Sequence, residues 1–289
     1  IRMGGIKIQL KIFIFSLIYF FKKSLDNAIR LSLYKKNSLD KKINFNLFGF
    51  NFYSPLSSQT LLTIKKIENN SKEIIKVYKF LDNPSYIFDI GANIGYWSLS
   101  FYKLNSNNID KVYCFEPNNL SFKYLKLNLG HLVNFELCNF GISYEDKETK
   151  ISLPYWEKDR PYNLGLYSVL AKSNINSQKI FLKKFDNLFN VVKNKNYLFK
   201  IDVEGMENEV IMGSYNFLSS KNKISIIIEL NNKIDQYTDN NIEKSLVLLS
   251  KLNYQSYVIE NGGIKKIDYE SIKFNIYNNL NYDFIFKNF

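Results

Sequence analysis

The chain has 289 residues, 46% of them hydrophobic, enough for one large core or two small ones, so no disulfide or metal staple is needed for stability. Its net charge is +12, yet only Arg2, Arg30 and Arg160 among 39 basic residues are arginine. Lysine lacks the planar fork that reads guanine or clamps phosphate, and the lysines are interspersed with acids, so a solvated surface is expected and specific nucleic-acid reading is not.

From the amino end, Ile12 to Phe21 is apolar apart from Ser16 and Tyr19, with Lys11, Lys22 and Lys23 flanking it. Ten residues are too few to cross a bilayer, which takes about 20. No small-residue cleavage site follows. Residues 8–23 are therefore read as a helix that packs on the domain or rests on a membrane surface with its lysines at the headgroups. The expected location is the cytoplasm, with peripheral membrane contact through this segment as the variant. Residues 1–80 as a whole read as a helical or irregular extension covering one edge of the domain that follows. Within it Asn44 to Tyr53 alternates as a strand does, and Gln59 to Lys79 has helical spacing.

Residues 81–289 read as one α/β domain. Tyr86 to Ile90 is an apolar run of strand length with Asp89 near its carboxyl end, and Gly91 and Gly95 bracket a tight turn into a helix beginning at Tyr96. Glycine accepts backbone angles that other residues resist and lets a ligand approach the main chain. Strand, glycine turn and helix make the first half of a nucleotide-binding unit. A second strand, Lys111 to Phe115, ends in Glu116-Pro117, and Glu116 lies 21 positions after Gly95, near the spacing of a ribose-binding acid. Asn93 stands where the dinucleotide pattern has its second glycine, and Asp89 would disfavour a pyrophosphate. Both tolerate a cationic ligand with a ribose and no phosphate, which describes S-adenosylmethionine.

Asn118 can cap a helix running to about Leu129. Val133 to Phe140 is a third strand, with Asn139 and Gly141 at its end. His131, the only histidine, falls in a polar loop and is left out of the chemistry. Cys114 and Cys138 fall in expected buried strands without metal spacing and read as inert core thiols in a reducing compartment. Residues 143–197 are too long for a bare connection and read as an acceptor-side insertion, with short strands at Lys150 to Leu153 and Lys179 to Phe185. Tyr155, Trp156, Tyr162 and Tyr167 are its candidate wall residues. Leu198 to Val203 is the fourth strand. Asp202 and Glu204 stand at its carboxyl end two residues apart, which alternation places on one side, and Gly205 turns the chain into a helix over Glu207 to Leu218. These two acids are the candidate general bases. Glu204 could instead cap that helix. Ile224 to Leu230, Tyr254 to Ile259 and Tyr282 to Phe286 complete seven strands, with a turn at residues 261–263 and a helix over Asp239 to Leu252.

Three stretches taken together, Asp89 to Gly95, Phe115 to Pro117 and Lys200 to Glu207, resemble the FkbM family of S-adenosylmethionine-dependent methyltransferases. The resemblance runs from about Leu81 to Leu230, and Asn163 to Ser168 resembles a further piece of the family pattern. It implies a Rossmann-like class I methyltransferase fold: a seven-stranded, mostly parallel sheet with helices on both faces and the last strand antiparallel. It implies S-adenosylmethionine held by Asp89, Gly91, Asn93, Gly95, Glu116 and Asp202, with Asn139 on the adenine side. It implies O-methylation of a sugar, glycan or other small hydroxylated molecule, with Asp202 or Glu204 taking the acceptor's proton. Nothing in the spacing demands a metal. The competing readings are a dinucleotide-dependent oxidoreductase and a basic binding protein without catalysis.

Overall fold

The structure is a computed structural model and describes residues 38–47, 49–56, 75–154, 164–171, 173–230, 241–260, 263–277 and 282–289. Residues 8–23, Tyr155, Trp156 and Tyr162 lie outside the described residues.

The centre of the fold is an eight-stranded sheet. Its parallel part runs from β3 (Tyr86–Ile90) outward to β4 (Lys111–Phe115) and β5 (Phe135–Cys138). On the other side of β3 the chain returns as β9 (Asn196–Ile201) and β10 (Lys223–Leu230). The chain thus reverses direction across the sheet between β3 and β9, and a crevice outside the strand ends is expected there. Beyond β10 lie β13 (Tyr282–Lys287), β11 (Gln255–Glu260) and β12 (Gly263–Lys266), joined by antiparallel pairings. The closing strand is antiparallel to its neighbour, as expected. The count is eight rather than seven, because Gly263 to Lys266 pair antiparallel with β11 as an edge strand.

Alternation along β3 sorts its side chains. Phe88 and Ile90 face one layer, while Ile87 and Asp89 face the other. Phe88 meets Phe185, Phe189, Phe199 and Phe217 at ring-centroid separations from 4.8 to 5.7 Å. Much of the chain's phenylalanine is thus core, and truncating Phe88 would cost roughly 3–5 kcal/mol. Helices cover both faces. On the Ile87 side lie α1 (Tyr96–Asn105) and α2 (Asn119–Leu129); on the Phe88 side lie α3 (Phe185–Leu188), α4 (Glu207–Gly213), α5 (Tyr215–Leu218), α6 (Asn241–Lys251) and α7 (Tyr269–Tyr277). Asn118 caps α2 as expected, its side chain accepting from the amides of Leu120 at 2.9 Å and Ser121 at 3.2 Å. The single helix expected over Glu207 to Leu218 breaks at Ser214. A side chain at Gly213 would collide with the Ser143 carbonyl, so α4 packs directly on the start of the insertion.

Two smaller sheets flank the centre. The amino-terminal extension, read as helical or irregular, contains a hairpin of β1 (Ser38–Leu47) and β2 (Phe50–Leu56), with Gly49 at φ +86° in the turn. Asn128 of α2 locks the hairpin in place: its side chain accepts from the Tyr53 amide at 2.7 Å and donates to the Tyr53 carbonyl at 2.9 Å. The insertion forms the second sheet, with β8 (Gln178–Lys184) between β6 (Gly141–Ser143) and β7 (Lys147–Ile151). Lys150 pairs with Lys179 within the two strands expected here, whereas β6 has no counterpart in the sequence reading.

Candidate active site

A cavity of about 410 Å³ opens at the carboxyl ends of β3, β4, β9 and β10. Its polar wall comes from Gly91 and Asn93 after β3, Glu116 to Asn118 after β4, Asp202 and Glu204 after β9, and Glu229 of β10. Its apolar wall comes from Ile142 of β6 and, within residues 143–197, from Ile151, Leu164 to Tyr167, Val169, Ile180 and Leu182. Tyr167 is the one proposed aromatic among the described residues, and it lines the cavity.

Beneath the cavity sits a buried charge cluster. Lys200 pairs in register with Asp89 across β3 and β9, on the face opposite Phe199 and Ile201. Its ammonium lies 2.7 Å from Asp202 and 3.8 Å from Asp89. Burial works against that ammonium, but Asp202 and Asp89 outweigh it and raise its pKa. Asp89 is fully buried and accepts a bond from the Ser98 hydroxyl of α1 at 2.6 Å; burial raises its pKa, opposed by Lys200 and Ser98. Asp89 is therefore a wall support behind the cavity rather than a lining residue. The sequence reading missed Lys200, although a lysine inside a buried strand, two positions before an acid, is itself a signal that a charge is being paired.

Both glycines have the positive φ expected of the turn, and each also makes room for a packing neighbour. Gly91 lies at φ +87°, and a side chain there would collide with the backbone carbonyl of Asp202. The Gly91 and Ala92 amides are both taken by the Phe115 carbonyl at 3.0 Å. Gly91 thus lets the ends of β3 and β9 touch. Gly95 lies at φ +85°, and a Cβ there would stand 2.6 Å from Leu129 and 2.8 Å from Leu125, so it is required for the packing of α1 on α2 and is not part of the lining. Asn139 likewise falls outside the lining. Its amide donates to the Glu116 carbonyl at 2.9 Å and braces the end of β4.

Glu116 is almost completely buried and accepts from two backbone amides, Asn93 at 2.8 Å and Asn118 at 2.7 Å. Burial pushes its pKa up to about 7 against the pull of these amides. Asn93, at φ +51°, lines the cavity, and its side-chain oxygen is buried with no partner among the described residues. Such an orphan acceptor is satisfied by a donor on a bound ligand.

Asp202 and Glu204 both face the cavity, but alternation is not the reason. β9 ends at Ile201, and Glu204 stands in the following turn at φ +53°. Burial pushes its carboxyl well above the usual range, reinforced by Asp202, Glu229 and Glu207, with Lys200 opposing. The helix after Glu204 has no side-chain cap at Met206; the Glu207 carboxylate instead accepts the Gly205 amide at 3.0 Å, within the turn. Burial raises Glu207 to about 7. Among the described residues no three His, Cys, Asp or Glu are grouped to hold a metal ion, and no helix is long and apolar enough to cross a membrane.

The family model for the methyltransferase FkbM domain matches residues 89–256, more than half of the chain. The chain belongs to the FkbM methyltransferase family. That family uses S-adenosylmethionine, and this FkbM domain is built on a class I methyltransferase sheet. No curated protein matches the sequence. Among solved structures, the FkbM methyltransferase of Methylobacillus flagellatus KT is similar at 13% identity and a TM-score of 0.43, over 70% of this chain and 43% of that one. This chain thus spans less than half the length of that protein. TYW2 of M. jannaschii, in complex with AdoMet, is similar at 14% identity and a TM-score of 0.40, over 85% of both chains. An S-adenosylmethionine-dependent O-methyltransferase of Thermotoga maritima is similar at 12% identity and a TM-score of 0.39, over 86% of both chains.

The lining suits the family's cofactor. A sulfonium and an ammonium are matched by the carboxylates of Asp202 and Glu229. Ribose hydroxyls are matched by Glu116, whose oxygens each keep a lone pair beyond the amides they already accept. A pyrophosphate would meet the same acids unfavourably.

Proposed function

We propose that this chain methylates a hydroxyl group on a sugar, glycan or other small molecule, with S-adenosylmethionine as donor. On this reading residues 81–289 form the catalytic domain and residues 143–197 its acceptor-side insertion. The observation that carries the proposal is Glu204: a carboxyl raised by its surroundings, lining an acid-walled cavity whose opposite wall is apolar.

S-adenosylmethionine, when bound, supplies a methyl group already activated by its positive sulfur. The chain's own work is then placement and proton removal. Glu116 and Asn93 orient the ribose side, and Asp202, fixed by Lys200, faces the cationic centre. Holding an acceptor oxygen in line with the methyl supplies roughly 7–11 kcal/mol. Glu204 would take the acceptor's proton as the methyl passes to the acceptor oxygen and the sulfonium is left as a neutral thioether. Its raised pKa makes the ionised Glu204 a stronger base than an ordinary exposed carboxylate. Asp202 is a poorer candidate because its carboxylate is already engaged by the Lys200 ammonium at 2.7 Å.

The test has two parts. S-adenosylhomocysteine should bind and raise the melting temperature, by an amount equivalent to about 2.7 kcal/mol at a hundredfold excess over its dissociation constant, while NAD should not. Mass spectrometry of glycan and small-molecule extracts incubated with enzyme and donor should show products heavier by one CH₂. Absence of a shift at millimolar S-adenosylhomocysteine would overturn the cofactor assignment. Products methylated only on nitrogen or carbon would overturn the acceptor assignment.

A further inference from the structure

Glu204 occupies a backbone region that a non-glycine residue enters only when its surroundings hold it there. Its own side chain does not secure the turn, since the bond to the Gly205 amide comes from Glu207. The restraint comes from the insertion. Ser168, only 6% exposed, donates its hydroxyl proton to the Glu204 carbonyl at 2.7 Å. That hydroxyl is itself fixed, because it accepts the Leu170 amide at 3.1 Å. The Ser168 backbone is fixed as well: its amide and carbonyl both bond to Ser152, at 3.1 and 3.2 Å. Ser152 directly follows β7 of the insertion's sheet. A continuous hydrogen-bonded path thus runs from that sheet through Ser168 to the turn carrying Glu204.

We propose that Ser168 is a positioning residue, which ties the insertion to the turn after β9 and so holds the Glu204 carboxyl inside the cavity. This rests on the reading of Glu204 as the base. The path has a chemical consequence. Glu204 faces Asp202 from its own turn, Glu207 from α4, Glu229 from β10 and Lys200 from β9. Its carboxyl stays raised only while the turn keeps it buried among these acids. Without the Ser168 hydroxyl the turn is released, the partly exposed Glu204 moves away from these acids and further into water, and its carboxyl returns toward the ordinary range.

The experiment needs no acceptor. Protein labelled with ¹³C at glutamate carboxyls is titrated by NMR, and the Glu204 signal is assigned by its loss in Glu204→Gln. In the unmodified chain Glu204 should titrate above ordinary glutamates. In Ser168→Ala its midpoint moves down toward them, and in Ser168→Thr, which keeps the hydroxyl, it stays high. Ser168→Cys, with a weak donor of similar size, serves in place of the alanine variant if that variant does not fold. Its midpoint should also fall. A Glu204 midpoint unchanged in the hydroxyl-free variant, or lowered equally in Ser168→Thr, overturns the proposal. The titration and the methyl-transfer assay fail independently. A lowered midpoint in an enzyme that turns over normally removes Glu204 as base while leaving the Ser168 tie intact. An unchanged midpoint in an active enzyme removes the tie alone.

Discussion

Two glutamates stand at the ends of two strands of one sheet, bordering one cavity, and the chain treats them differently. Glu116, after β4, has both carboxylate oxygens bonded to backbone amides. Glu204, after β9, is surrounded by Asp202, Glu207 and Glu229. Burial raises both pKa values, but the amides restrain Glu116 to about 7, whereas the neighbouring acids push Glu204 further in the same direction. The difference separates their chemistry. A carboxylate held by amides is a fixed acceptor, suited to ribose hydroxyls. One crowded by like charges gains a proton readily, suited to removing one from an acceptor.

The sharpest way to break this contrast is Glu204→Gln. It keeps size and hydrogen-bonding reach and removes the proton-accepting charge. Single-turnover rates should fall by roughly 10²–10⁴-fold, with S-adenosylhomocysteine affinity nearly unchanged by calorimetry. Normal turnover would move the base to Asp202 or Glu229.

The pH dependence of stability tests the burial on which the contrast rests. Glu116 and Glu207 are raised from 4.5 to about 7 in the folded chain, so between these values the folded state holds more protons than the unfolded one. Their contribution is complete below pH 4.5 and is lost as pH rises through 7. Each accounts for up to about 3 kcal/mol at one pKa unit per 1.36 kcal/mol. The urea midpoint of the ligand-free protein should therefore be higher at pH 5 than at pH 8. A higher midpoint at pH 8 would show that neither group is buried as described.

Glu116→Gln probes the other side of the comparison. Loss of charge-assisted bonds to the ribose should weaken S-adenosylhomocysteine by about 1.5–3 kcal/mol, roughly 10- to 100-fold. It also turns an amide NH₂ toward the Asn93 or Asn118 amide, so some loss of stability accompanies it. Affinity equal to that of the unmodified protein would make Glu116 a backbone clamp only. The smallest effect is expected from Asn139→Ala. If Asn139 braces β4 through the Glu116 carbonyl, the change costs about 1 kcal/mol of stability and leaves S-adenosylhomocysteine affinity within a few-fold. A large loss of affinity would return Asn139 to the adenine pocket.

Several features of the site were legible because they are local. A strand, a left-handed turn and a helix follow from a short run of residues, so Tyr86 to Tyr96 could be placed without knowing its neighbours. The same holds for Asn118 as a cap, where donor and acceptor lie two or three positions apart. Lys200 and Asp202 also lie two apart, but the pairing of Lys200 with Asp89 depends on which strands are adjacent, and β3 and β9 are separated by more than a hundred residues.

What the sequence by itself determined is the order of strands and turns and the placing of acids at strand ends, since hydrophobic periodicity and backbone preference act over a few residues. Only the tertiary structure decided what each acid and glycine is for. Gly91 is required by a carbonyl of Asp202, Gly95 by leucines of α2, and Glu204 is held by a serine of the insertion. Glu207 rather than Glu204 bonds the turn amide. Burial and charge crowding depend on residues that are distant in the chain and adjacent only after folding, so no local pattern carries them.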